Sequence, residues 1–193
     1  DMQDDETQSP VDRLIPMLRY YNVFHIDQCE GITAKHIQPL AHNAEPDKEA
    51  ERLISDYCAR AGVTLIHQEG DKAFYRPSND TIVLPMMSQF AETAEYYSTA
   101  FHEMVHSTGH SNRLNRLTQT AHFGNAEYSK EELVAEIGAS ALVNHAGLET
   151  EKSFRNNTAY VQSWLNVLKN DKRFIVSASG KAEKAVELIL AGA

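Results

Sequence analysis

Apolar residues recur at helical spacing in five stretches of the chain. The first follows Asp47, a residue suited to capping a helix, with Ala50, Leu53, Ile54, Tyr57 and Cys58 on one face and Gly62 as its stop. The second spans residues 91–108 and ends at Gly109; Phe90, Ala94, Tyr97 and Phe101 supply its apolar side. Residues 129–145, 158–169 and 181–190 carry the others, with Trp164 on the core face of the fourth. Between the first two helices the period changes. Residues 63–67, 73–76 and 81–84 are short β-rich runs, the last two flanking Pro77-Ser78-Asn79-Asp80, a turn by composition. They predict a small antiparallel meander with residues 81–84 at its edge, since Pro85 closes that run and proline is tolerated best at an edge. Residues 18–26 read as a further strand or extended arm. The order of elements defines an α+β domain, with the meander packed on the second helix and further helices following.

Composition narrows the class. The 193 residues suit one compact domain, 42% hydrophobic and 23% charged. No apolar run approaches the length of a membrane span. Residues 1–17 read as an acidic leader or linker and residues 18–193 as the domain; the start lacks the basic-then-apolar order of a secretory signal. A chain opening on Asp1 without an initiator Met is expected to be a piece of something longer. With only Cys29 and Cys58, neither a disulfide scaffold nor a zinc ribbon is available, and a cytoplasmic setting is the default. A net charge of −9 disfavours non-specific binding of a phosphate backbone.

The chemistry concentrates in Phe101-His102-Glu103-Met104-Val105-His106. Residues four apart share a helix face, so His102 and His106 can address one ion, and two neutral imidazoles suit zinc. Glu103 between them can serve as general base. Catalytic zinc takes three protein ligands and keeps one open position. Asn112 stands where the metzincin pattern needs its third histidine, which excludes that ligand set. His110 would require the helix to break at Gly109; His122 and His145 are further candidates. Glu132 is preferred, because Glu132 and Glu136 share a face of a helix whose Ala135, Gly138, Ala139 and Ala141 permit close packing beside the first. Glu136 is then the residue that orients a ligand histidine, or the alternative ligand. Against this stands a plain reading: Ser129-x-x-Glu132 is also a capping-box pattern, and Glu131, Glu132 and Glu136 suit a solvated helix face. Tyr96 and Tyr97 are expected to pack rather than to polarise a substrate carbonyl. Arg113 and Arg116 are expected to form structural salt bridges that clamp the loop after the motif rather than to hold a substrate carboxylate, and His25 and His36 to be ordinary.

Residues 96–116 around the motif, Phe123-Gly124, and residues 128–139 together resemble the zincin-like metallopeptidase domain of ArdC-type antirestriction proteins. The likeness extends back through residues 75–85 and 21–30 and onward through residues 159–165. Glu132-x-x-Ala135 is also similar to the pattern that supplies the third ligand in ImmA/IrrE-type peptidases. The resemblance implies a zinc peptidase acting on a peptide or protein substrate. It also implies that single-stranded DNA is met only through an N-terminal domain that this chain lacks, and that the whole protein belongs to plasmids and conjugative elements. A competing expectation is a binding module with structural zinc that blocks restriction enzymes by contact; another is a domain that protects DNA.

Overall fold

The computed structural model describes residues 45–117, 126–148 and 172–192, all within one compact unit. The leader, the run 18–26, the helix expected over 158–169 with Trp164, Cys29, His25, His36 and His122 lie outside the described residues.

Helix α1 spans Lys48–Ala61. The Asp47 side chain accepts from the backbone N–H groups of Glu49 and Ala50, relieving two of the donors that a helix start leaves unpaired. Gly62 ends it at φ 68°, a left-handed conformation that costs glycine nothing. Strands β1 (Thr64–His67), β2 (Phe74–Arg76) and β3 (Thr81–Leu84) follow. Helices α2 (Thr93–Thr108), α3 (Ala126–His145) and α4 (Lys172–Leu190) complete the described elements.

The sheet corrects one expectation. Its order is β1-β3-β2, with β1 parallel and β2 antiparallel to β3, so Thr81–Leu84 is the central strand and the sheet is mixed rather than an antiparallel meander. All four residues of β3 are buried, whereas β1 is mostly exposed. The reason lies in side-chain chemistry. Thr-Ile-Val-Leu has no polar alternation and needs cover on both faces, while β1 runs into the polar His67-Gln-Glu segment and tolerates water. Pro85 follows the last ladder position, so it imposes no edge.

Helix α2 is the hub, packing against β2, β3, α1, α3 and α4. Tyr97, Ala100, Phe101, Met104 and Val105 are wholly buried around it. Each large side chain among them contributes about 1.5–3 kcal/mol by leaving water. Helix α3 comes close because Gly138 faces Val105: a Cβ on Gly138 would stand 2.8 Å from Val105 Cγ2. That helix spans Ala126–His145, so Ser129 lies inside it rather than at its start, and the capping-box reading of Glu132 does not hold.

Candidate metal centre

His102 and His106 lie on the one stripe of α2 that reaches a cleft rather than the core. The cleft, about 450 Å³, is bounded by Ala73, Phe74 and Tyr75 of the β2 region, by Pro77 and Leu117, and by Glu131 and Glu132 of α3. The two imidazoles stand nearly edge to face, at 76°, with their Nε2 atoms 3.0 Å apart. Glu132 approaches the same point from α3, Oε1 3.3 Å from His106 Nε2 and Oε2 3.7 Å from His102 Nε2. One donor atom from each of the three residues lies within 4.8 Å of the others, and no other described residues form such a group.

The opposite edges of the rings are also occupied. Glu136 Oε1 lies 3.3 Å from His102 Nδ1, and Glu131 Oε1 lies 3.6 Å from His106 Nδ1. Carboxylates at Nδ1 favour the tautomer whose unprotonated Nε2 can bind a cation. Two imidazole nitrogens and a carboxylate oxygen converging on one point are a donor set that zinc accepts. The donor chemistry therefore fits the group that the sequence suggested.

Electrostatics reflect the crowding. Burial alone favours neutral rings, but Glu132 and Glu136 outweigh it and His102 is pushed up to about 10. His106 is raised in the same way against its burial, by Glu131 and Glu132. Burial would raise Glu132, yet the two imidazoles hold it well below the ordinary carboxylate range. Glu103 differs. It is 7% exposed, and burial holds its carboxyl above the usual range despite the opposing pull of His106 and His102 and a backbone hydrogen bond from Tyr75 of β2.

The other expected residues are placed plainly. His110 lies beyond the end of α2, its Nδ1 accepting from the Asn112 backbone N–H, and His145 is exposed at the end of α3; neither joins the donor group. Tyr96 and Tyr97 pack, as expected: both are buried, with the Tyr96 hydroxyl on His67 and the Tyr97 hydroxyl donating to Glu51. Arg113 and Arg116 are clamps. Arg113 pairs with Asp80 and also donates to the carbonyls of Ser107 and Ala61. Glu131 is the residue that the sequence did not single out. Neighbours on a helix point about 100° apart, so only the packing register of α3 brings it against His106.

A helix bearing His-Glu-x-x-His, with a glutamate from the next long helix completing the donor set, defines a zincin. The chain belongs to the zincin-like metallopeptidase family, whose model matches residues 48–181. Among individual proteins, it is 38% identical over 177 residues to a DNA primase TraC of Escherichia coli, covering 91% of this chain and 16% of the primase. A protein of Sinorhizobium fredii (strain NBRC 101917 / NGR234), y4eC, is 32% identical over 184 residues, 95% of this chain and 57% of that one. Among solved structures, the Mn(II)-bound antirestriction protein ArdC from the R388 plasmid superposes with a TM-score of 0.62 at 35% identity, over 92% of this chain and 63% of ArdC. Its metal-free form gives 0.58 at 36%, over 91% and 61%. The chain thus spans less than two thirds of each of these relatives, and the ArdC-type resemblance read from the sequence holds in three dimensions.

Proposed function

We propose that this chain is a zinc-dependent peptidase domain of an ArdC-type antirestriction protein, with His102, His106 and Glu132 as metal ligands and Glu103 as the base. The observation that carries this reading is the convergence of three donors at an open cleft, with a buried glutamate beside them and no fourth donor among the described residues. When bound, zinc would supply Lewis acidity, lowering the pKa of a water and polarising a carbonyl.

The residues do the rest. His102 and His106 offer Nε2, held in orientation by Glu136 and Glu131 at Nδ1. Glu103 takes a proton from the attacking water onto its carboxylate and returns it to the leaving amine. Its burial favours the protonated form midway through that transfer. Phe74, Tyr75, Pro77 and Leu117 give an apolar wall for a substrate side chain. Because β3 is central, the strand that borders the cleft at the sheet's edge is β2, and an extended peptide is accommodated along β2 rather than along Thr81–Leu84.

Glu103→Gln tests the division of roles. Zinc content and fold are expected to stay at wild-type levels while cleavage of a peptide that the wild type cuts falls at least about 10²-fold. His102→Ala is expected to lose both metal and activity. Loss of zinc from Glu103→Gln would refute the assignment. A wild-type chain that cleaves nothing in a broad peptide library, in a full-length protein that still blocks restriction, would move the role to binding.

A further inference from the structure

Glu131 and Glu132 are adjacent, and both line the cleft beside His106. An ion held there meets two carboxylates of the same chemistry on successive residues. What distinguishes them is Arg116. Its Nε lies 3.2 Å from Glu131 Oε2 and its Nη2 lies 2.8 Å from Oε1, so both oxygens of Glu131 face a guanidinium. The same guanidinium donates to Thr108 Oγ1 and to the Val105 carbonyl, each at 2.8 Å, and its side chain is only 8% exposed. Glu132 instead faces the two histidines, Oε2 toward His102 Nε2 and Oε1 toward His106 Nε2.

The loop after α2 delivers Arg116 to this place. The chain doubles back so that the N–H groups of Arg116 and Leu117 both donate to the Gly109 carbonyl, with Asn115 at φ 49° in the turn. Gly109 has ordinary right-handed dihedrals, so its role is to leave room. A Cβ there would stand 2.9 Å from Leu117 Cγ and 3.3 Å from Arg116 Nη2.

We propose that Arg116 and Glu131 are positioning residues that sort the two adjacent carboxylates. Arg116 withholds Glu131 from the metal and sets it against His106 Nδ1; His106 then presents Nε2, and Glu132 alone joins the histidines. The inference rests on the reading of the site as a metal centre and deepens it. A carboxylate fixed at a ligand's Nδ1 sets its tautomer and raises its basicity, and losing such a partner typically costs about 10–100-fold in metal affinity. The fork of an arginine suits both oxygens of one carboxylate, which a lysine could not hold together.

The test uses the purified chain, with zinc affinity measured by competition with a chromophoric chelator and coordination read from the visible spectrum of the Co(II) form. Glu131→Gln is expected to weaken zinc binding about 10–100-fold with its circular dichroism unchanged. Arg116→Met is expected to free Glu131, weakening and shifting the Co(II) bands as a further carboxylate joins. Adding Glu131→Gln to Arg116→Met is expected to restore the wild-type band shape. If both single variants melt at lower temperature but keep wild-type affinity and Co(II) spectrum, the pair is a structural latch and the proposal fails. Should Arg116→Met not fold, Glu131→Gln alone decides, and affinity within about twofold of wild type overturns the proposal. A wild type that binds neither ion overturns this inference and the proposed function together. Metal-loaded wild type that cuts no peptide removes only the peptidase reading.

Discussion

Asp80 occupies the left-handed region at φ 50° and ψ 49°, between the turn 77–79 and β3. Its carboxylate is bound by Arg113 through Nη1 and Nη2 and by the Tyr75 hydroxyl at 2.6 Å. Burial would raise its pKa, but these bonds bring it below the ordinary range. A depressed carboxyl contributes stability above its unfolded pKa, near 3.9 for aspartate, and loses it as pH falls through the folded value. Asn fits the same backbone, so Asp80→Asn isolates the charge. It leaves Arg113, 7% exposed, without its anion, at an expected cost of about 2–3 kcal/mol at pH 7. Urea melts from pH 3 to 7 check this: the difference from wild type is expected to hold above about pH 5 and to shrink below about pH 4. A constant difference across that range would show that the charge contributes nothing. The clamp roles of Arg113 and Arg116 were legible in the sequence, since arginines just past a motif helix have loop carbonyls within reach. Their carboxylate partners were not. Asp80 is 33 residues from Arg113 and Glu131 is 15 from Arg116, and no local pattern links them.

Helix α3 owes its approach to α2 to a missing side chain. A Cβ at Gly138 would fall 2.8 Å from Cγ2 and 3.1 Å from Cγ1 of Val105, a branched and wholly buried residue that cannot swing aside. Alanine would gain up to about 1 kcal/mol in helix propensity, yet overpacking costs about 1–3 kcal/mol. Gly138→Ala is therefore expected to be net destabilising by about 1 kcal/mol. Val105→Ala in the same chain is expected to recover part of that loss, which denaturant melts of the two singles and the double would reveal as non-additivity. Simple additivity would mean that the helices are not in contact there. Because α3 carries Glu131, Glu132 and Glu136, Gly138→Ala is also expected to weaken zinc uptake. The run of small residues had marked this face for close packing from sequence. The strand order was misread from sequence, which put residues 81–84 at the edge: a three-residue strand pairs wherever burial demands, and β3 went to the centre because all four of its residues need cover.

At the scale of the whole molecule, a metal ion would tie α2 to α3, two elements joined by 17 residues of intervening chain, 109–125. An ion that binds only the folded state stabilises it by about 2.7 kcal/mol at a concentration 100 times its Kd. Zinc is therefore expected to raise the melting temperature of the wild type, a chelator to reverse that, and Glu132→Gln to lose most of the gain; calorimetry with and without zinc checks all three. No described helix is long and apolar enough to cross a membrane. Sequence alone determined the helix bearing His102, Glu103 and His106, because a four-residue spacing and a helical apolar period are both local. It also determined the mixed α+β class, the caps Asp47 and Gly62, and a short group of candidates for the third ligand. Tertiary structure brought Glu132, and neither His110 nor His145, to the two histidines, through the register at which α3 lies on α2. It also decided that β2 rather than β3 borders the cleft, and that Arg116 occupies Glu131 while Glu132 faces both Nε2 atoms. Each of these depends on contacts between residues distant in the chain, and their free energy comes from burial and pairing that exist only after the elements pack.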